Sequence, residues 1–112
     1  MSAYVPAEGE IVWLNFMPQS GHEQAGRRPA VVLSPQLYNE RSGLMLCVPI
    51  TNRIKGYPFE VVLGGGGATA AALADQVRSF DWKTRQAEPK GQATPAEISE
   101  IKAKIKALLK LS

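Results

Sequence analysis

The residue types best suited to chemistry are concentrated in one segment, residues 21–35, with the sequence GHEQAGRRPAVVLSP. A polar loop in this segment brings the only histidine, His22, close in sequence to Glu23 and to a pair of arginines. An apolar strand follows immediately, and side chains on a loop that is held by a strand are often the ones that bind or react. The segment therefore supplies an acid, a base and cations at one place.

Several kinds of catalytic site are not expected. A metal site needs several His, Cys or carboxylate ligands, and this chain has one His, one Cys and no HExxH motif or paired cysteines. No GxSxG nucleophile motif is present, and the glycine run 64–67 lacks the GK[ST] ending of a phosphate-binding loop. A mobile hairpin loop is the better interpretation of that run. The remaining Arg, Thr, Glu, His and Lys residues suit RNA cleavage, in which the substrate supplies the nucleophile, its 2′-hydroxyl.

Composition predicts one globular domain spanning residues 1–112, because 45% of residues are hydrophobic and 21% are charged. The net charge of +3 is compatible with a polyanionic partner but does not identify one. Apolar runs are too short to span a bilayer and no targeting segment precedes them, so a cytoplasmic location is expected. Cys47 lies in an apolar strand, where a buried and inert thiol is expected.

Short strand-like runs separated by turn residues predict a mainly β fold with a small β-barrel. Pro35–Tyr38 is predicted as a helical turn, and Asn39–Gly43 as a polar connection. The first run is apolar on both faces, which indicates burial on two sides or cover by a partner subunit. The predicted strands are Glu10–Phe16, Pro29–Leu33, Met45–Thr51, Phe59–Leu63 and Leu73–Phe80.

One helix is predicted at the carboxyl end. Thr94 can cap it, Pro95 takes the first helical position, and Glu97 completes a Thr-x-x-Glu capping box. Lysines occupy most of the opposite face and are interpreted first as a solvated surface. The apolar residues at helical spacing, which we expect on the inner face, are Ile98, Ile101, Ile105, Leu108 and Leu109.

Four further segments, together with the loop of residues 21–35, resemble the MazF/PemK (Kid) toxins, small dimeric endoribonucleases of toxin–antitoxin pairs. The resemblance implies an SH3-like β-barrel (CcdB/PemK-like) with a C-terminal α-helix. It also implies a homodimer that cuts single-stranded mRNA at a short sequence without a cofactor or metal, leaving 2′,3′-cyclic phosphate and 5′-hydroxyl ends and stopping translation. An acidic, partly disordered MazE-like antitoxin is the implied partner. The matching segments are YVPAEGEIVWLNF, VPIT, KGYPFEVVL and ALADQVRS.

Catalytic roles follow from the resemblance. Arg28 and Thr51 match the residues that family members place at the scissile phosphate, although a surface ion pair and a strand-end hydroxyl bonded to backbone remain the alternatives. Glu23 matches an acidic position and is either a base or a counter-ion for the arginines. His22 matches a PemK/Kid active-site histidine, with a bystander as the alternative. Leu73 replaces an arginine of the PemK/Kid branch, which places the chain closer to the MazF branch.

RNA-binding residues are implied in the same way. Lys55 matches a position on the RNA-binding face, with a solvated loop lysine as the alternative. Asp75 and Gln76 match the family's Asp-Gln pair and can read base edges, unless they form a buried hydrogen-bond network. Arg53 and Arg78 are weaker candidates for contacts to the RNA backbone.

Two other classes of protein remain possible from the sequence. A CcdB-like toxin on the same fold poisons DNA gyrase, cuts no RNA and needs neither Arg28 nor Thr51. A non-catalytic RNA-binding barrel keeps Lys55 and the basic surface but tolerates loss of the proton-transfer groups. Incubation of the pure protein with a long RNA in the presence of a chelator distinguishes these classes.

Overall fold

The computed structural model describes residues 4–16, 26–64 and 70–112 of the chain. In this part of the chain, seven strands precede a long carboxyl-terminal helix, which confirms the predicted mainly β fold with a C-terminal helix. The strands are β1 (Glu10–Asn15), β2 (Arg27–Val32), β3 (Leu44–Thr51), β4 (Glu60–Leu63), β5 (Ala70–Leu73), β6 (Arg78–Asp81) and β7 (Glu88–Gln92); the helices are α1 (Gln36–Ser42) and α2 (Pro95–Leu109).

All strand pairs are antiparallel, and β3 lies at the centre of the sheet. One edge of β3 pairs with β2, while its other edge pairs first with β6 and then, at Ile50 and Thr51, with β5. The sheet divides at this point, so its β4–β5 hairpin curls away from the β6 side. The order β4-β5-β3-β2-β1-β7 therefore describes a curled sheet rather than a flat one.

Apolar clusters lie on both faces of the sheet, because successive side chains of a strand point in opposite directions. On one face, Val31 and Val48 pack with β4, β5 and Ile101 of α2. On the other face, Val12 and Leu14 pack with residues that include Phe80 and Trp82. The strand β1 is thus buried only on the face of Val12 and Leu14, because Ile11 on the other face is half-buried and Trp13 is 38% exposed. Burial on two sides within this chain was a wrong prediction, and cover by a partner subunit stays a prediction.

The helix α2 begins as predicted. The Thr94 side chain accepts a hydrogen bond from the backbone N–H of Glu97 at 3.1 Å, and the Glu97 carboxylate accepts one from the backbone of Thr94 at 2.9 Å. Ile101 is buried, and Ile98 and Ile105 pack beside it. The prediction was wrong for the last turn, because Leu108 and Leu109 are 47% and 60% exposed, beyond the reach of the sheet.

Two local predictions need correction. The stretch Leu73–Phe80 is not one strand, because the chain leaves β5, makes a 3-10 turn at Ala74–Gln76 and re-enters the sheet as β6. Asn39 belongs to α1 rather than to a polar connection, and its side chain is completely buried. Its amide donates to the carbonyls of Pro6 and Ser34 and accepts from the Ser34 hydroxyl at 2.6 Å, so burial leaves no polar group unsatisfied.

The edge strand β7 was not predicted. Its sequence, EPKGQ, is exposed at every position and contains both Pro and Gly, which are depleted in strands. It forms because it pairs with β1 at the edge of the sheet. An edge strand has a neighbour on one side only, so the missing N–H of its proline interrupts no hydrogen bonds between inner strands.

Candidate active site

The register of β2 and β3 brings the two predicted catalytic residues together. Ala30 pairs with Pro49, and continuing the same register by two residues along each strand sets Arg28 opposite Thr51. Directly opposed residues on two paired antiparallel strands point to the same face of the sheet, so the Arg28 and Thr51 side chains belong to one face. Residues 23 positions apart in sequence are therefore neighbours at the end of two paired strands.

A cavity of about 570 Å³ opens at this end of the sheet. Its lining carries several cationic groups and, among the described residues, no Asp or Glu. A concave site with several cations favours an anion, and none of the described residues in its wall carries a negative charge that would repel one. The described lining residues are Trp13, Phe16, Arg27, Arg28, Pro29, Pro49, Ile50, Thr51, Asn52, Ala70, Leu73, Gln76 and Arg78.

The two adjacent arginines have different environments. Arg27 donates to the Asn15 side chain at 2.8 Å and to the backbone carbonyl of Gln86 at 2.9 Å, and it forms an ion pair with Glu88. Arg28 is exposed and makes no hydrogen bond or ion pair with any residue in the described part of the chain. In the described part of the chain the ion pair is thus formed by Arg27, and no described residue uses the donors of the Arg28 guanidinium.

The Thr51 hydroxyl is partly engaged. It accepts a hydrogen bond from the backbone N–H of Arg53 at 3.1 Å, which turns the chain at the end of β3. A hydroxyl has one donor hydrogen and a second lone pair, so Thr51 can still bond a phosphate oxygen or a 2′-hydroxyl. The backbone contact therefore fixes the position of this hydroxyl without using its donor.

A second, smaller cavity of about 160 Å³ adjoins the first one. Thr51, Leu73 and Gln76 line both cavities, so they form the wall between them. The second cavity is also lined by Asp75 and by Tyr57, whose side chain is 59% exposed. An aromatic ring beside polar groups is typical of a place where an unstacked base binds. Sequence reasoning missed Tyr57, although an aromatic residue in an exposed basic loop was a usable signal.

The residues predicted to contact RNA surround this second cavity. Asp75 and Gln76 are both exposed, so the alternative of a buried Asp-Gln network is wrong. Lys55 is exposed, and its ammonium lies 5.7 Å from the centre of the Tyr57 ring. The carboxylate of Glu60 accepts from the backbone N–H groups of Lys55 and Gly56, which holds the loop in shape. Arg53 also lines this cavity.

Arg78 lies at the margin of the larger cavity. It pairs with Cys47 across β3 and β6, which puts it on the same face as Thr51. Its guanidinium stacks on the Phe80 ring at 4.6 Å from the ring centre, and the Phe16 ring meets Phe80 edge-on. Stacking limits the motion of an exposed cation, which suits it to hold a phosphate near the site.

Cys47, beneath this surface, is completely buried, which confirms its predicted burial. Burial raises the pKa of its thiol to about 12, and the charge of Arg78 offsets only part of that rise. The thiol stays protonated at neutral pH, so it is a packing group rather than a nucleophile in this site.

The chain is similar to known proteins over most of its length. Residues 7–109 match the family model described as "PemK-like, MazF-like toxin of type II toxin-antitoxin system". The chain belongs to this toxin family. It is 54% identical over 109 residues to the endoribonuclease toxin MazF of Escherichia coli (strain K12), covering 97% of this chain and 98% of that protein.

Solved structures of the family have the same fold. The crystal structure of MazF (Form-I) from Deinococcus radiodurans has a TM-score of 0.87 and 51% identity, covering 97% of this chain and 100% of that one. The crystal structure of MazE-MazF (Form-II) from the same organism also has a TM-score of 0.87, at 45% identity, covering 98% and 100%. The fold predicted from the family resemblance is thereby confirmed.

Two predicted residues, His22 and Glu23, lie outside the described residues, so their part in the site stays a prediction. Within the described ranges, no group of three or more His, Cys, Asp or Glu side chains is arranged to hold a metal ion. A search of the same ranges also finds no helix long and apolar enough to cross a membrane.

Proposed function

We propose that this protein is the toxin of a type II toxin–antitoxin system and acts as an endoribonuclease on single-stranded RNA. The family supplies the class of activity, and the relative named above is an endoribonuclease toxin. The observation that carries the proposal for this chain is that Arg28 and Thr51 line one cavity, whose described lining residues include no Asp or Glu. Cleavage of mRNA in the cytoplasm then stops translation.

The proposed reaction is an internal transfer of the phosphoryl group. The 2′-hydroxyl of the nucleotide before the cut attacks the adjacent phosphorus and loses its proton. The bond to the 5′-oxygen breaks, and that oxygen gains a proton. The products are a 2′,3′-cyclic phosphate and a 5′-hydroxyl end, and no metal takes part. The protein has only to move protons and stabilise the negative charge of the transition state.

Arg28 takes the largest share of that stabilisation. Its planar guanidinium can donate two parallel hydrogen bonds to the phosphate oxygens, and its exposed side chain gives up no bond to a described residue when it does so. Thr51 binds the phosphate or orients the 2′-hydroxyl from the opposed strand. His22 and Glu23 are the candidates for proton transfer, because both lie between β1 and Arg28 in the sequence.

The RNA strand runs from the first cavity into the second in this proposal. A phosphate held between Arg28 and Thr51 places a neighbouring base beside the shared wall, within reach of Asp75 and Gln76. Their carboxylate and amide groups suit base edges that present exocyclic amines. Tyr57 offers that base a ring to stack on. Lys55, Arg53 and Arg78 then neutralise phosphates on either side.

Two protein partners are proposed. The first is a second copy of the chain, since the homodimer is part of the family resemblance. The second is a MazE-like antitoxin, because a relative with 45% identity was crystallised as MazE-MazF. Such a partner is expected to be acidic and partly disordered, so that it can cover phosphate-binding cations while it folds on the surface.

The test is cleavage of a long RNA by the pure protein in the presence of a chelator. We expect fragments with 2′,3′-cyclic phosphate and 5′-hydroxyl ends, and no cleavage when the nucleotide before the cut carries a 2′-deoxy sugar. Sequencing of the fragment 5′ ends identifies the recognised sequence. Normal cleavage of the deoxy substrate, or loss of cleavage in chelator, contradicts the mechanism. Gyrase inhibition without RNA cleavage indicates a CcdB-like toxin, and RNA binding alone indicates a non-catalytic barrel.

A further inference from the structure

The first arginine of the RRP segment is one of the residues that line the active-site cavity, but its guanidinium is bonded within the chain. Arg27 pairs with Asn15 and Arg28 pairs with Leu14 across β1 and β2. Neighbouring residues on a strand point to opposite faces, so the two guanidinium groups leave the backbone in opposite directions. A fixed Arg27 side chain therefore anchors the strand from one face while Arg28 is presented on the other.

The Arg27 side chain is held at three points. Nη1 donates to Asn15 Oδ1 at 2.8 Å, Nη2 donates to the Gln86 carbonyl at 2.9 Å, and Nη2 also forms the ion pair with Glu88. Its side chain is only 15% exposed, whereas that of Glu88 is 68% exposed. A planar guanidinium can satisfy three acceptors at once, and a lysine ammonium cannot reproduce that fork.

These contacts join three separate parts of the chain: the end of β1, the start of β2 and the turn that leads into β7. The turn residue Gln86 has φ +56°, in the left-handed region that a non-glycine residue rarely adopts. Its side chain accepts a further hydrogen bond from Asn15 at 3.3 Å. An arginine that bonds the carbonyl of such a residue holds the turn against the strand that carries Arg28.

Another ion pair of the described chain shows the contrast. Lys102 and Glu8 also join distant segments, but their side chains are 44% and 42% exposed, and the Lys102 ammonium bonds only to that carboxylate among the described residues. An exposed ion pair between two flexible side chains does little to hold the segments that carry them in position. The Arg27 network has a half-buried cation bonded to several acceptors, which is the arrangement expected where a side chain holds two segments in position.

From this geometry we infer that Arg27 is a positioning residue, which holds the start of β2 so that the Arg28 guanidinium meets the scissile phosphate. The inference rests on the proposed endoribonuclease function. Although Arg27 lines the cavity, its guanidinium is engaged by Asn15, Gln86 and Glu88, and the charge of Glu88 offsets its own charge. Its contribution is therefore to the transition state through Arg28, because a shift of about 1 Å in a catalytic group can cost on the order of 10² in rate.

The main test replaces Arg27 and Glu88 together by glutamine, which keeps the net charge and removes the anchor. We expect kcat to fall on the order of 10- to 100-fold with KM little changed. In an Arg28→Ala background the same double replacement should leave the residual rate unaltered, because nothing remains to be positioned. The matched control replaces Lys102 and Glu8 by glutamine, which removes the exposed pair at the same net charge and should leave kcat unchanged.

A second measurement needs no activity. In the NMR spectrum of the free protein, the double replacement should shift and broaden the Arg28 side-chain signal and speed amide exchange at Leu14 and Arg28, while the β4 amides stay unchanged. Arg27→Lys, which keeps the charge and the fold more readily, should produce the same changes more weakly. A wild-type protein that cuts no RNA contradicts the proposed function, and the Arg28 signals still decide the positioning role.

Two results overturn the inference. One is an unchanged kcat and an unchanged Arg28 signal in a folded Arg27 variant. The other is a loss of rate by the same factor with and without Arg28, which indicates that the network only stabilises the folded protein.

Discussion

The Arg28→Ala substitution is the most direct test of the proposed chemistry. It removes a guanidinium from a cavity whose described lining holds no carboxylate. Loss of one preorganised donor to a transition-state oxyanion typically costs about 2.7–4 kcal/mol, which corresponds to a fall of about 10²- to 10³-fold in kcat. Binding should suffer less, because Lys55 and Arg78 still attract the phosphates. The rate should therefore fall much more than the affinity.

Stability should hardly change in the same variant. Arg28 is exposed and bonds to no group in the described part of the chain, so its removal leaves no buried polar partner unsatisfied. Substitutions of this kind usually alter the free energy of unfolding by less than about 0.5 kcal/mol. An unaltered thermal transition accompanied by a large loss of rate separates a chemical role from a structural one.

The assay is single-turnover cleavage of a short fluorogenic RNA in chelator, with binding measured separately on the uncleavable 2′-deoxy substrate. Arg28→Lys keeps the charge but loses the two-pronged donor, so it should recover only part of the rate. Arg41→Ala, which removes an exposed arginine from the last turn of α1, is the matched control and should cut RNA normally. Near-normal turnover of a folded Arg28→Ala protein refutes the assignment and directs attention to His22 and Glu23.

Three further predictions follow from the site and the fold. Thr51→Ala should lower kcat less than Arg28→Ala does, and Thr51→Ser should keep most of the rate because it keeps the hydroxyl; equal losses in both contradict the hydroxyl role. Lys55→Glu should weaken RNA and antitoxin binding together, and both affinities should fall with salt; an antitoxin that inhibits without displacing RNA contradicts this. Hydrogen bonds from the backbone N–H groups of Gly64 and Thr94 lower the pKa of Glu97 in the folded protein. The stabilisation of the fold by the Glu97 carboxylate is therefore present above the pKa of the unfolded state, and it is lost as the pH falls through the pKa of the folded state. Glu97→Gln should then cost up to about 1 kcal/mol at pH 7 in chemical unfolding, and a cost that persists in acid refutes the charge effect.

Local sequence signals predicted those parts of the fold whose causes are local. The capping box at Thr94 set the start of α2 correctly because the interacting groups are three residues apart. The apolar pattern of β1 indicated burial on both faces, but within this chain only the face of Val12 and Leu14 is buried, and Trp13 on the other face is 38% exposed. The end of α2 was predicted less well, since helical spacing continues through Leu108 and Leu109 after the sheet has ended.

The elements that were missed depend on distant partners. The strand β7 has an unfavourable composition and exists because β1 leaves an edge to pair with. The sequence from Leu73 to Phe80 was predicted as one strand. In the structure β5 and β6 pair with different parts of β3, and a 3-10 turn separates these two strands. Asn39 was assigned to the surface because it is polar, and only Pro6, Ser34 and Trp82 in the folded chain provide its buried partners. No local pattern contains that information.

The RRP segment shows the same limit within the site. Because successive side chains of a strand point to opposite faces, the sequence predicts that Arg27 and Arg28 face opposite ways. It does not predict which of the two meets the substrate. That choice is made by Asn15 and by the turn at Gln86 and Glu88, some 60 residues further along the chain, which draw Arg27 to their side. The β2–β3 register, continued beyond Ala30 and Pro49, brings Thr51 towards the other arginine. Arg28, which bonds to no described residue, is therefore the arginine placed to meet the phosphate. The assignment of Arg28 is thus a property of the sheet register, and changes at Asn15 or Glu88 should affect catalysis although neither residue reaches the substrate.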